Sequence, residues 1–106
     1  FPTRRSSDLV DLARALLRRS PVLLLDDPIS QVDADTGDAV VRSLEQISRT
    51  RTMIIVSHRL AALRFAHRIL VMKSGRIEES GSHETLAATG GFYARTFRLQ
   101  QLEEEY

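Results

Sequence analysis

Val22-Leu23-Leu24-Leu25-Asp26-Asp27 is the stretch that decides the fold. Four apolar residues in a row, with no polar alternation, read as a strand covered on both faces, as in the interior of a parallel sheet. The run stops at two carboxylates and then Pro28, which cannot donate to a sheet ladder. Downstream, Val40, Leu44 and Ile47 recur at spacings of four and three, which predicts a helix with Asp33 or Asp35 as its N-cap. Thr52-Met53-Ile54-Ile55-Val56-Ser57 follows as a second β-rich strand and leads directly into His58. Two strands joined by a helix of about a dozen residues or more form a βαβ unit with parallel strands and a right-handed crossover. Both strands then end at the same sheet edge, where open α/β sheets bind ligands. The expected class is α/β, with Asp26, Asp27 and His58 gathered on one rim.

Outside this unit the pattern changes period several times. Leu12, Ala13, Leu16 and Leu17 share a helical face opposite Arg14, Arg18 and Arg19, and Ser20-Pro21 ends that helix. After His58 the sequence predicts a short helix over 60–65 and a strand over 68–72. A tight turn over 73–76 and a return strand from Ile77 complete a hairpin. Ser82 is placed to cap a helix reaching Leu86, and Gly90-Gly91 breaks the chain. A last amphipathic helix starts at Phe92 and carries Phe97, Gln101 and the acidic run Glu103-Glu104-Glu105. Residues 1–9 have no hydrophobic period. Phe1-Pro2-Thr3-Arg4-Arg5-Ser6-Ser7-Asp8-Leu9 resembles the conceptual translation of a sequencing-adapter oligonucleotide and is set aside as a non-native tail.

Composition bounds the remaining choices. The chain has 106 residues, room for one small domain at most. Hydrophobic residues are 42% and charged residues 27%, and the net charge is +1, so nothing argues for nucleic acid or an anionic membrane. The absence of cysteine excludes a disulfide framework and a thiolate metal site. No apolar run approaches the ~18 residues of a membrane span.

Apolar residues followed by two carboxylates can serve nucleotide hydrolysis. The first acid holds Mg²⁺ through water, and the second orients or deprotonates the attacking water. The same letters also describe a strand followed by an Asp-Pro turn in which aspartate only caps. His58 could likewise cap the next helix, and Asp33 could be an N-cap and no more. His67 and His83 are read as structural or solvent-facing.

Taken in order, these motifs are similar to the ABC ATPase family. Residues 22–27 resemble its Walker B strand, Ser30-Gln31-Val32-Asp33 its D-loop and Ser57-His58 its switch histidine. Residues 10–20 resemble the helix after its signature sequence. Val71-Met72-Lys73-Ser74-Gly75-Arg76-Ile77 and Gly81-Ser82-His83-Glu84-Thr85-Leu86 resemble its C-terminal hairpin and helix. The resemblance covers residues 10–106. It implies the C-terminal half of a RecA-like P-loop NTPase domain, with parallel strands, helical crossovers, a β-hairpin and closing helices. It further implies Asp26 as the residue positioning Mg²⁺, with Asp27 and His58 as catalytic residues. His58 would contact the γ-phosphate and the water, and Ser30 and Asp33 would lie at the ATP-binding dimer seam. ATP and Mg²⁺ are the implied cofactors. A second ATPase domain and a transmembrane domain are the implied partners, at the cytoplasmic face of a membrane, with no nucleic acid. Gly91-Phe92-Tyr93-Ala94-Arg95 onward resembles the closing helix of exporters.

Two departures qualify that picture. The family has glutamate where Asp27 stands, so the resemblance is to the degenerate-site half of a heterodimeric exporter. No G-x-x-x-x-G-K-[ST] loop and no Gly-rich signature occur, so the backbone nest and lysine for the phosphates are missing. The expectation is a domain truncated at its N-terminus, with an open apolar sheet face, marginal stability and no ATP binding by itself. Two alternatives stand beside this one. The first is a soluble ABC ATPase acting in DNA repair or on ribosomes, and the second is a fragment with no independent function.

Overall fold

The computed structural model describes residues 13, 14, 16–18, 20–28 and 34–104. The tail over 1–9, the whole D-loop over 30–33 with Ser30 and Asp33, and Glu105 lie outside the described residues. The chain divides into two compact units, residues 1–58 and 59–106.

In the first unit, residues 13, 14, 16 and 17 are helical, and the Arg18 amide donates to the Arg14 carbonyl at 3.3 Å. Strand β1 (Val22–Asp26), helix α1 (Ala34–Ser48) and strand β2 (Thr52–Val56) follow. The strands pair in parallel, with Val22 opposite Thr52, Leu24 opposite Ile54 and Asp26 opposite Val56. The ladder is bracketed at both ends. The Thr52 amide donates to the Pro21 carbonyl at 3.0 Å, and the Asp27 amide donates to the Val56 carbonyl at 2.6 Å. Along α1 the covered positions are Thr36, Gly37, Val40, Val41, Leu44, Ile47 and Ser48, a helical stripe centred on Leu44, which is only 1% exposed. The last turn meets its orphan carbonyls locally: the Ser48 hydroxyl donates to the Glu45 carbonyl and the Thr50 hydroxyl to the Ile47 carbonyl. The helix starts at Ala34, so Asp35 sits in its first turn, favourable for the dipole, and is not a cap.

β1 is covered on one face and bare on the other, the open apolar sheet face expected of this chain. Leu23 and Leu25 are buried, whereas Val22 and Leu24 are exposed, as are Ile54 and Val56 beside them. Among the described residues only one face of the two-stranded sheet is covered, so alternate residues stay bare although all four are apolar. The second strand also ends at Val56, one residue before the expected Ser57.

The second unit opens with a 3₁₀ helix (Leu60–Leu63) where a short helix over 60–65 is expected, two residues shorter. Four residues fit a single tight turn, and Arg59 supplies no side-chain cap that would start a longer helix. Strands β3 (Ile69–Lys73) and β4 (Arg76–Gly81) form an antiparallel hairpin with an irregularity between Val71 and Met72. Its turn is the two residues Ser74 and Gly75, both at positive φ (53° and 76°), as a two-residue hairpin requires. The expected 73–76 turn is therefore shorter, because Lys73 and Arg76 pair.

Helix α2 (His83–Thr89) extends beyond Leu86. Ser82 caps it by accepting from the Thr85 amide at 3.2 Å, and Gly90 ends it in the left-handed region (φ 75°). Helix α3 (Phe92–Glu104) closes the unit. The core joins Leu60, Ile69, Leu86 and Tyr93, with Leu63, Ala66, Val71 and Phe97 packed against them. His83 is buried at its edge, so its structural reading holds, and His67 is exposed. No helix among the described residues is long and apolar enough to cross a membrane.

Candidate functional site

The acidic pair and the imidazole belong to the first unit. Parallel pairing determines where they go. Asp26 is the last residue of β1 and stands opposite Val56, the last of β2. His58 follows Val56 by two residues, so Asp26, Asp27 and His58 all leave the sheet from its carboxyl edge. An antiparallel pair would have sent Asp26 and His58 to opposite ends. Asp26 and His58 are exposed, while Asp27 and Ser57 are half-buried. By strand alternation Asp26 shares the bare face with Val22 and Leu24.

Asp27 has an unusual backbone. Its φ is +49°, in the left-handed region that side chains other than glycine, asparagine and aspartate seldom adopt. The amide of Asp27 still completes the ladder to Val56, so the chain reverses sharply only after a last sheet bond is made. Such conformations cost about 1–3 kcal/mol and persist where the surroundings over-determine them. The two neighbouring carboxylates thus sit on different backbone conformations, Asp26 extended and Asp27 left-handed. Nothing in the letters Asp-Asp-Pro announced this strain, although aspartate is among the few residues that tolerate it.

Among the described residues, no group of three or more His, Asp or Glu side chains could hold a metal ion. A Mg²⁺ ion of the kind bound with a nucleotide needs only one or two carboxylates, with phosphate and water supplying the rest. Asp26 fits that limited demand: it is exposed, at a strand end, beside a second carboxylate. Ser30 and Asp33 lie outside the described residues.

In the second unit, Glu79 and Gln100 each serve a distant backbone amide. The Glu79 carboxylate accepts from the Tyr93 amide at 3.2 Å, at the start of α3, where a negative charge is favourable. The Gln100 side-chain carbonyl accepts from the Leu60 amide at 2.9 Å. Inspection of the sequence singled out neither. Periodicity does place Tyr93, Phe97 and Gln100 on one helical face, so Gln100 was findable as the polar end of an apolar stripe.

The chain has close relatives among ATP-binding transport proteins. It is 47% identical over 91 residues to the cyclolysin secretion/processing ATP-binding protein of Bordetella pertussis, which covers 86% of this chain and 13% of that protein. It is 40% identical over 92 residues to an ATP-dependent lipid A-core flippase of Legionella pneumophila, covering 87% of this chain and 16% of the flippase. Among solved structures it matches a bacterial Atm1-family ABC exporter with ATP bound, with a TM-score of 0.83 and 32% identity over 91% of this chain and 17% of the exporter. No family model matches. The chain is therefore homologous to a segment of ABC exporter ATP-binding proteins. It spans 13% to 17% of the length of these three relatives.

Proposed function

We propose that this chain is the hydrolysis-side segment of an ABC exporter's ATPase domain, and that its parent couples ATP binding and hydrolysis to export across a membrane. One observation carries the reading: the in-register parallel pairing of β1 and β2, which sends Asp26, Asp27 and His58 to one edge. Similarity to an ABC exporter over 91% of the chain supports it.

In the parent, Asp26 would hold a Mg²⁺ ion through water, and that ion would neutralise phosphate charge. Asp27 orients the attacking water and accepts its proton. His58 hydrogen-bonds the γ-phosphate. Ser30 and Asp33 face the second ATPase domain across the dimer seam, and the ATPase domain works at the cytoplasmic face of the membrane with a transmembrane domain as partner. Asp27 is one methylene shorter than glutamate, so its carboxylate sits farther from the water. A misplacement of ~1 Å costs on the order of a hundredfold in rate. The site is accordingly a slow one, and the parent pairs with a different, faster partner.

The test is ATP turnover of the intact parent, resolved per site. Asp27→Glu should raise it, and His58→Ala should abolish what remains. An unchanged rate in His58→Ala overturns the assignment of the histidine, and an unchanged rate in Asp27→Glu shows that carboxylate reach is not limiting. Calorimetry of the 106-residue chain with ATP should register no binding, because the phosphate nest lies elsewhere; micromolar affinity would contradict the reading.

A further inference from the structure

We propose that the outer face of helix α3 pairs with the same face of a second copy of this chain, the two helices running antiparallel across a two-fold axis at Leu99. The proposal rests on the exporter reading only for the membrane that holds the copies together. Helix α3 (Phe92–Glu104) is apolar on two sides. On one side Tyr93 and Ala94 are buried and Phe97 packs against the core cluster. On the other, Phe92, Leu99 and Leu102 are 53%, 61% and 48% exposed. With Arg95 they recur at spacings of three, four and three, which sets them on one stripe. A surface helix needs one apolar face for its core; the second stripe finds no cover among the described residues of this unit.

Charge selects the occupant. Arg95 lies four residues before Leu99 and Glu103 four residues after it, both exposed on the same side of the helix. A two-fold axis at Leu99 therefore brings Arg95 of each copy opposite Glu103 of the other, twice over, and sets Leu99 against Leu99. Leu102 then falls beside Thr96 and the aliphatic stem of Arg95 in the second copy. Parallel helices would set Arg95 on Arg95 and Glu103 on Glu103. The Arg95 guanidinium gives one N–H to the Gly90 carbonyl at 3.3 Å, which leaves its other donors for a carboxylate. The 13 residues of α3 make a face roughly 20 Å long and one helix wide. That is well under the ~800 Å² per partner of a stable interface, so dilute chains in solution do not associate through it. Copies confined to a membrane meet at a far higher effective concentration, and there the contact forms. On the proposed reading the ATPase partner is a different chain, so α3 links two exporters and not the two ATPase domains of one.

The experiment uses the intact membrane protein that carries this segment, with every cysteine outside the segment replaced by serine, in native membrane vesicles. The segment itself contributes no cysteine. On mild oxidation Leu99→Cys should give a disulfide-linked dimer of the chain, because the axis brings the two Cα atoms within the ~7 Å that a disulfide spans. Gln101→Cys, exposed on the far side of α3, should not. In the Leu99→Cys background, Arg95→Glu and Glu103→Arg should each lower the yield about tenfold, since one reversal turns two attractive pairs into two repulsive ones. The double reversal should restore it. Equal yields at positions 99 and 101 overturn the paired face, and a yield indifferent to both reversals overturns the register. An adduct with some other protein in place of this chain overturns the choice of a second copy. No adduct in membrane-bound protein overturns the contact and leaves the exporter reading intact, whereas recovery of the intact protein in the soluble fraction removes both. Should a reversal not fold, Arg95→Gln or Glu103→Gln is scored against the same loss of yield.

Discussion

Leu24 offers the sharpest test of the open sheet face, through Leu24→Lys in the 106-residue chain. Leu24 is 70% exposed, and Val22, Ile54 and Val56 are each about half exposed around it. Fully burying such a side chain contributes about 1.5–3 kcal/mol, so roughly 1–2 kcal/mol is unrealised at Leu24 and about 1 kcal/mol at each neighbour. The patch holds some 4–5 kcal/mol of unused apolar burial per copy, or about twice that for two copies face to face. Association costs at least about 4 kcal/mol of that sum, which leaves at most about 4–6 kcal/mol, a weak self-association with Kd between roughly 0.05 and 1 mM. Sedimentation velocity between roughly 10 and 500 µM should show a concentration-dependent shift. Leu24→Lys should remove the shift and change folding stability by no more than about 0.5 kcal/mol, as at any exposed site. In the intact parent the same substitution should be severe, costing about 3 kcal/mol or more, because there a covered leucine gives way to a charge. A wild-type chain that stays monomeric across the range refutes the reasoning, as does a parent that accepts Leu24→Lys without loss.

Three further outcomes follow from the structure. Tyr93→Phe should destabilise the second unit by about 1–3 kcal/mol, read as faster amide exchange in α2 and α3, since it strands the buried His83 nitrogen now 2.8 Å from the phenol. Burial pushes the Tyr93 phenol above its ordinary value, with Arg64 opposing and Glu84 adding a little. The neutral phenol's contribution is thus full below about pH 10 and is lost as pH rises through the raised folded value; the unfolding midpoint should fall on that alkaline limb, less steeply in Tyr93→Phe. At Asp27, where φ is +49°, a valine should cost about 1–2 kcal/mol more than a glycine by thermal melting of the parent, and equal melting of Asp27→Val and Asp27→Gly would show that the backbone there is unstrained.

Much of this was legible in the residues because local rules and global fold agree. The apolar run ending in Asp26-Asp27, the Val40-Leu44-Ile47 stripe and the β-rich run before His58 gave two strands, a helix and the shared rim, and each lies where periodicity put it. Ser82 and Gly90 marked the ends of α2 through cap chemistry, which is local by nature. The 3₁₀ form of the short helix was not legible because four residues carry too little period to separate it from an α-helix. The left-handed Asp27 was missed because an Asp-Pro pair is compatible with several turn types. The bonds from Glu79 to Tyr93 and from Gln100 to Leu60 were invisible for a deeper reason: their partners are 14 and 40 positions apart, and no spacing rule reaches that far.

The bare sheet face carries information. A run without alternation calls for cover on both sides of β1, yet among the described residues only one side is covered. Val22, Leu24, Ile54 and Val56 form a contiguous apolar patch because parallel register sets Val22 and Leu24 beside Thr52 and Ile54, with Val56 next along. A free-standing two-stranded sheet would gain from polar residues at those positions, as half-solvated strands do. Their apolar character is a demand for a further layer, and the relatives' greater length is where the proposed reading finds it. The site gives the same message. Asp26 stands on that bare face at the strand's end, exposed, with Asp27 beside it and His58 leaving the same edge. On the proposed reading, a layer of the parent that buried Leu24 would lie over the same face from which Asp26 emerges.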